Sequence, residues 1–130
     1  MTVDIPTNLQ YLLDRPFYGS LAIVRPDGSP QVNPMWFERV DDTIRFTHTT
    51  KRARYRHLQA NPAMSFLVFD PDDPMVYLEV RGSLVEVIPD PTGAFYSRLK
   101  DRYGYPSDQP SPDAADRVIF VMSMDAFAQH

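Results

Sequence analysis

Short apolar or alternating segments recur along this chain, separated by turns rich in proline, glycine and aspartate, and this pattern limits the fold most. Pro26 and Gly28 end one segment, because proline presets φ in a turn and glycine tolerates a positive φ. Asp41 and Asp42 make a second tight connection. Such turns between alternating segments are typical of antiparallel strands. The pattern predicts six strands, at residues 17–24, 30–40, 43–48, 63–69, 75–88 and 117–123.

Three helical segments interrupt these strands. Thr7 is predicted to cap a helix over 8–14, and Thr49 or Thr50 to cap one that ends at Asn61. Asp90, followed by proline, is predicted to cap a third helix that Gly104 ends. Six antiparallel strands leave few exposed edges only if the sheet closes. We therefore expect a mainly β fold, a β-barrel with helices, and one domain over residues 1–130.

A change in the apolar pattern within the long fifth strand predicts a β-bulge. Val76, Leu78, Val80 and Leu84 alternate on one face, and the apolar positions change register after Gly82. Glycine inside a strand often marks such a bulge. We therefore expect the bulge at Gly82.

Composition excludes several classes of function. The chain has no cysteine, which excludes disulfides, thiolate catalysis and cysteine-based metal sites. The formal net charge of −4 argues against nucleic acid as a partner. No apolar run approaches the ~20 residues of a membrane span, and no signal peptide is recognisable, so we expect a cytoplasmic protein without a membrane partner. His48 and His57 have no carboxylate at ligand spacing, and no metal site is expected. Hydrolase and Rossmann motifs are absent.

Residues 47–62, THTTKRARYRHLQANP, carry the clearest functional signal. Lys51, Arg52, Arg54 and Arg56 crowd the predicted start of a helix in an acidic protein. Cations are unfavourable there, because a helix N-terminus favours anions. Free N–H groups, the helix dipole and several cations together make a phosphate site. A solvated helix face is the alternative interpretation, and Arg56 is the member expected to take no part in binding.

The chain resembles the pyridoxamine-phosphate-oxidase-like split β-barrel superfamily, and within it the small oxidoreductases that use the deazaflavin coenzyme F420. Three stretches carry the resemblance: PDGSPQVNPMWF, IRFTHTTKRARYRHLQANPAMSFLVF and YLEVRGSLVEV. It implies a homodimer of six-stranded antiparallel split barrels that binds two cofactors at its interface. Pro34 lies within the strand that would contact the ring. Because proline has no N–H to donate, the backbone cannot donate a hydrogen bond to the ring at this position.

The resemblance also implies which residues bind the cofactor. The ring system would rest on the second strand, at Gln31, Asn33, Pro34, Met35, Trp36 and Phe37. The end of the third strand would lie close to it, at Thr47, His48, Thr49 and Thr50. The phosphate and acidic tail would bind to Lys51, Arg52 and Arg54. The partner subunit would contribute the start of the long strand, at Met75, Val76 and Tyr77.

The expected activity is hydride transfer from reduced F420 to a small-molecule acceptor, an enone or a quinone-like or tetrapyrrole-like compound. This assignment agrees with the absence of a recognisable acid–base pair, since the cofactor carries the chemistry and the protein supplies binding and orientation. Tyr77, Tyr103 or solvent could protonate the product. The alternatives are an FMN-dependent oxidase or reductase on the same fold, and a non-catalytic protein that binds the cofactor or a tetrapyrrole.

Overall fold

The computed structural model describes residues 2–106, 109 and 111–129 of the chain. Its strands are β1 (Gly19–Val24), β2 (Pro30–Met35), β3 (Glu38–Val40), β4 (Thr43–Thr49), β5 (Ala63–Asp70), β6 (Asp73–Pro89), β7 (Arg117–Ser123) and β8 (Ala126–Gln129). Its α-helices are α1 (Gln10–Asp14), α2 (Ala53–Ala60) and α3 (Ala94–Arg102). Two 3-10 turns, Thr7–Leu9 and Ala114–Asp116, precede α1 and β7. The prediction of a mainly β, antiparallel fold with three helices is confirmed.

The strands form a single antiparallel sheet in the order β2-β1-β5-β6-β7-β4-β3, and β8 pairs with β6. The predicted count of six strands is wrong, because there are eight in the described residues. The predicted closure is also wrong: β2 and β3 are the ends of the hydrogen-bonded order and do not pair with each other. The sheet nevertheless curls, since the inward faces of its strands share one core.

The predicted strand over 30–40 is broken at Trp36 and Phe37. The Phe37 N–H donates to the Tyr103 hydroxyl (3.1 Å), and its carbonyl accepts from Arg102 (3.1 Å). Side chains from the end of α3 therefore form the hydrogen bonds that a neighbouring strand would otherwise make with the Phe37 backbone. The ladder of strand β2 ends at this point for that reason. The chain then turns from β2, which pairs with β1, into β3, which pairs with β4.

The bulge in the long strand lies at Val85 and not at the predicted Gly82. Leu84 pairs with Met122, and Glu86 pairs with the next residue of β7, Val121, so that one residue of β6 is extra. Gly82 has a different role, because a Cβ atom there would lie 1.9 Å from the carbonyl oxygen of Ser123. The glycine is needed for the close approach of two backbones.

The predicted helix starts are displaced towards the C-terminus. Neither Thr7 nor Thr49 makes a side-chain cap, and α2 begins at Ala53, with Arg52 as its N-terminal flanking residue. The third helix begins at Ala94, after Gly93 at φ +69°. The Asp90 carboxylate still accepts from the backbone N–H groups of Phe95 (3.2 Å) and Tyr96 (3.3 Å). The Asp90 side chain therefore accepts hydrogen bonds from free N–H groups at the start of α3, although Asp90 lies outside the helix.

The core lies between the inward faces of the curled sheet and is closed by α1 and α2. Phe37, Phe46 and Phe66 are fully buried, and their rings pack edge to face with centroids 4.8 and 5.0 Å apart. Helix α1 contributes Leu12 and Leu13, which are fully buried. None of the helices in the described part of the chain combines the length and the apolar character that crossing a bilayer requires.

Candidate functional site

A cleft of about 460 Å³ opens where the end of β2 approaches β4, the start of α2, α3 and β7. Strand β2 and the residue after it supply one wall, the end of β4 supplies the floor, and arginines from the start of α2 and from β7 supply the rim. The lining residues are Tyr18, Asn33, Pro34, Met35, Trp36, Thr47, His48, Arg52, Arg54, Tyr96 and Arg117. None of these described residues is acidic, in a chain whose net charge is −4.

Arg54 is half-buried at the start of α2 and faces the cleft. One guanidinium nitrogen, Nη1, lies 3.1 Å from the Met35 sulfur, and Nε is buried without a hydrogen-bond partner. Burial, together with the positive charge of Arg52, lowers the pKa of Arg54. Neither arginine forms an ion pair with a carboxylate in the part of the chain that the structure describes. The pair is therefore an uncompensated positive charge that an anion would stabilise.

Arg117, at the start of β7, is held in place from three sides. It contacts both carboxylate oxygens of Asp113 (3.0 and 3.3 Å), donates to the Thr47 hydroxyl (3.3 Å) and lies over the Tyr96 ring at 4.1 Å. The Ser111 hydroxyl in turn donates to Asp113. Arg117 thus adds positive charge to the rim with little freedom to move.

His48, on β4, is buried at 4% exposure in the floor of the cleft. Burial, and then the charges of Arg54, Arg52 and Arg117, lower its pKa from 6.5 to about 3. The imidazole is therefore neutral at physiological pH. Its Nε2 atom is buried without a hydrogen-bond partner, although the side chain lines the cleft.

The depressed pKa of His48 makes stability depend on pH. In the unfolded chain the imidazole takes up a proton near pH 6.5, while in the folded chain it does so only near pH 3. The unfolded state therefore binds more protons between these values, and stability falls as the pH is lowered through this window. At pH 5 we expect a contribution of about 2 kcal/mol against folding, since one pH unit corresponds to about 1.4 kcal/mol.

Denaturant unfolding at pH 7 and pH 5 measures this contribution, with His48→Gln as the comparison. The variant has no imidazole to protonate, so its stability should fall less over the same range. Equal losses in both proteins would contradict the assignment to His48.

Aromatic side chains extend the wall that Trp36 begins. Trp36 stacks on Tyr103 (centroids 5.4 Å apart, planes 13° apart) and on Tyr105 (5.8 Å, 21°), and it lies 6.4 Å from Tyr96. Tyr18 packs on Tyr103 at 5.3 Å. Tyr18 and Tyr105 are more than half exposed, at 53% and 55%. The cleft therefore joins a cationic rim to an aromatic wall.

The structure brings half of the predicted site residues together in this cleft. Those that line it are Asn33, Pro34, Met35, Trp36, Thr47, His48, Arg52 and Arg54. The others lie outside it: Phe37 is in the core, Thr49 is buried, and Thr50 and Lys51 lie in the turn before α2. Gln31 is set back from the cleft and donates to the Asn33 side chain (3.1 Å). Met75, Val76 and Tyr77 lie near the start of β6, where Met75 is 63% exposed.

Sequence reasoning missed three residues of the cleft: Tyr18, Tyr96 and Arg117. Arg117 pairs with Thr49 at the end of β4, so it comes next to the basic segment only when the final strand pairs with β4. Tyr96 is brought there by α3. An antiparallel pairing of the third and last predicted strands would have placed Arg117, but short-range patterns do not specify that pairing.

A model of the pyridoxamine 5'-phosphate oxidase family matches residues 5–130. Among solved structures, an F420 reductase is 56% identical, with a TM-score of 0.92 over 95% of this chain and 98% of that chain. A conserved hypothetical protein from Mycobacterium tuberculosis is 21% identical (TM-score 0.72; 98% and 85% covered). The general stress protein 26 of Bacillus anthracis is 18% identical (TM-score 0.70; 93% and 89% covered). The last two show a shared fold alone. No curated protein matches the chain significantly.

Proposed function

This chain belongs to the pyridoxamine 5'-phosphate oxidase family, and from that premise we propose that it is an F420-dependent oxidoreductase. The reaction would transfer a hydride from the reduced deazaflavin to an unsaturated small molecule, an enone or a quinone-like or tetrapyrrole-like acceptor. The similarity to an F420 reductase over almost the whole of both chains supports this choice of cofactor. The observation that carries the proposal is the uncompensated Arg52–Arg54 pair beside a cleft whose described lining residues include no acidic side chain.

The residues of the cleft fit the chemistry of this cofactor. A phosphate and an acidic tail need cations and N–H donors, and Arg52, Arg54 and the buried, unpartnered Nε of Arg54 provide them. A flat ring system needs an apolar wall, and Met35 and Trp36 provide one. When bound, the reduced deazaflavin supplies the hydride. The chain's own residues bind the anionic end, orient the ring and exclude water, so that proximity accounts for much of the rate.

We further propose that the protein acts as a homodimer. The outer face of β1, β2, β5 and β6 carries exposed apolar side chains, including Val32 and Met75 at 63% and Phe69 at 44%. Exposed apolar patches of this kind mark interaction surfaces. A dimer formed through this face would bring Met75, Val76 and Tyr77 to the partner's cleft, which would reconcile their predicted role with their position. A monomer mass by light scattering, with and without cofactor, would contradict it.

A titration that compares F420 with FMN tests the choice of cofactor. Trp36 is the single tryptophan of the chain and lines the cleft, so its fluorescence reports on occupancy. We expect F420 to quench this fluorescence with a micromolar or lower Kd and FMN to bind at least tenfold more weakly, because FMN lacks the acidic tail that the arginines would bind. Tighter binding of FMN would support the flavin-dependent alternative.

Turnover separates an enzyme from a carrier. With reduced F420 and a panel of quinones and enones, we expect steady-state oxidation of the cofactor that depends on the acceptor. Tight binding of F420 without turnover of any acceptor would instead support a non-catalytic binding protein.

A further inference from the structure

We propose that Tyr18 is the proton donor of this reaction and that its acceptor is a planar conjugated molecule bound against Tyr18, Trp36 and Tyr105. The inference rests on the proposed function, because it concerns the same cleft and the same reductant. It assigns the proton donor to a tyrosine that sequence reasoning did not consider.

Tyr18 lies where a donor must lie. It directly precedes β1, lines the cleft beside Asn33 and Trp36, and is 53% exposed, so that a molecule in the cleft can reach it. Its ring is fixed against Tyr103, with centroids 5.3 Å apart. A general acid must be within hydrogen-bond reach of the atom it protonates, and this position meets that condition for a ligand on the aromatic wall.

Apart from Tyr96, which also lines the cleft, the other candidate donors are less well placed or are weaker acids. The Tyr103 hydroxyl donates its proton to the Phe17 carbonyl (2.7 Å) and accepts from the Phe37 N–H, and burial raises the pKa of Tyr103. His48 is neutral and buried. The Thr47 hydroxyl is a weak acid and accepts from Arg117. Tyr77 does not line the cleft.

The contacts of Tyr18 with Trp36 and Tyr105 favour the loss of its proton. The Trp36 indole N–H can only donate, so the Tyr18 oxygen is the acceptor of that contact. Hydrogen bonds with Trp36 and then with Tyr105 lower the pKa of Tyr18. Trp36 and Tyr105 therefore stabilise the tyrosinate that remains after proton transfer, as positioning residues.

The shape of the wall indicates the class of acceptor. The Trp36 and Tyr105 rings already stack on each other, so a ligand would meet the exposed parts of Tyr18 and Tyr105, which each expose more than half of their surface. Flat conjugated molecules gain most from such a surface, because aromatic rings prefer offset stacking and edge contacts with other π systems. No acidic side chain among the described residues lines this wall, and the arginines lie on the rim. The wall thus suits an uncharged fused-ring quinone or enone.

The atoms and charges of the step balance. A neutral enone that takes up a hydride, with its two electrons, gains one C–H bond, whereas a quinone gains one O–H bond; in both cases a negative charge is left on an oxygen. The O–H bond of Tyr18 breaks, and its proton binds that oxygen, which leaves a neutral product and a tyrosinate. The tyrosinate regains a proton from solvent. The reductant is the two-electron deazaflavin donor of the proposed function.

Two acceptors separate proton transfer from hydride transfer. Menadione, a neutral quinone, needs a proton after it receives a hydride, whereas N-methylphenazinium, a cation, becomes neutral without one. We expect Tyr18→Phe to lower kcat with menadione about 100-fold, within the range typical of general acids, and to change the phenazinium rate less than threefold. Tyr11→Phe, which removes a hydroxyl on α1 that donates to Asp70 (2.6 Å), is the matched control and should behave as the parent.

A second readout uses the protein without cofactor. Tyr18 contacts two other tyrosines, Tyr103 and Tyr105. A pH titration followed by the absorbance of tyrosinate should show a first ionisation. Tyr18→Phe should remove this ionisation, whereas Tyr11→Phe and Tyr96→Phe should retain it. Menadione should quench the Trp36 fluorescence of the same protein, and Tyr105→Leu should weaken that binding about tenfold while Tyr105→Phe preserves it.

The outcomes distinguish the inference from the function on which it rests. If neither acceptor is reduced and F420 does not bind, the proposed function fails. If F420 binds and phenazinium is reduced, but Tyr18→Phe reduces menadione at the parental rate, the proton-donor assignment is wrong. A loss confined to Tyr96→Phe would assign the proton to that tyrosine instead. Failure of menadione to quench Trp36 would contradict the assigned binding surface.

Discussion

Arg54→Met should weaken F420 binding about 10- to 100-fold. Arg54 lines the cleft, its Nε has no partner, and no carboxylate among the described residues compensates its charge. Hydrogen bonds to charged groups contribute about 1.5–3 kcal/mol, and about 1.4 kcal/mol corresponds to a tenfold change in Kd. Methionine keeps much of the length and the apolar contacts of the side chain, so that the loss reports on the guanidinium group. Quenching of Trp36 fluorescence gives the two dissociation constants.

Arg56→Met is the matched control, because it makes the same change on the exposed side of the same helix. Its Kd should stay within threefold of the parent at the same salt concentration. Equal weakening in both variants would indicate attraction by net charge and not a site. The variant Lys51→Met tests the turn before α2, and a large effect there would show that the anion extends beyond the cleft of one protomer.

Arg54→Met should also leave the free protein as stable as the parent, or slightly more stable. Arg54 is half-buried and lies close to Arg52, and both circumstances disfavour its charge. Removal of a charge that has no partner relieves this repulsion. Thermal unfolding without cofactor measures the effect, and a marked loss of stability would show that Arg54 contributes to folding.

Gly82→Ala should destabilise the protein by about 3 kcal/mol, at the upper end of the range for overpacked sites. An alanine Cβ would lie 1.9 Å from the carbonyl oxygen of Ser123 and 2.7 Å from its carbonyl carbon. These are backbone atoms and cannot turn away as a side chain can. For a chain of this length, the change corresponds to a fall in Tm of about 10 °C.

Gly28→Ala is the contrasting variant. Gly28 lies in a turn at φ +86°, and an added Cβ would meet no atom within 4 Å. Its cost comes from backbone conformation alone and should be about 1 kcal/mol. Calorimetry of the two variants ranks the effects. A Tm for Gly82→Ala above that of Gly28→Ala would show that β6 and β7 can separate at this point without loss.

The strands could be predicted because the sequence signals for them lie within a few neighbouring residues. The short apolar segments of β1, β5 and β7 and the turn at Pro26 and Gly28 depend on neighbours in sequence, and the structure confirms them. The break at Phe37 could not be predicted in this way, because its cause is a hydroxyl and a guanidinium group that come from α3. Likewise β8 forms because β6 offers it a partner, and the four residues Ala126–Gln129 are too few for a periodic signal.

The residues of the cleft were also predictable from sequence only in part. The basic residues stood out in sequence because they conflict with a helix start and with an acidic chain, and Arg52 and Arg54 indeed line the cleft. Lys51 carries the same charge and lies nearby, but the turn before α2 directs it to solvent, and charge patterns contain no such information. Arg117 and Tyr96 reach the site only through long-range packing, so no local signal indicated them.

The contacts of Tyr103 and Arg102 with Phe37 join residues that are 65 and 66 positions apart. They hold the backbone next to Trp36, and Arg117 joins the same cleft from still later in the sequence. During synthesis, the strands β1, β2, β5 and the start of β6 can therefore pair before the residues that complete the cleft have been made. The ability to bind a ligand in the cleft is therefore acquired last. A ligand of this cleft would bind only those chains that have folded as far as the C-terminal strands.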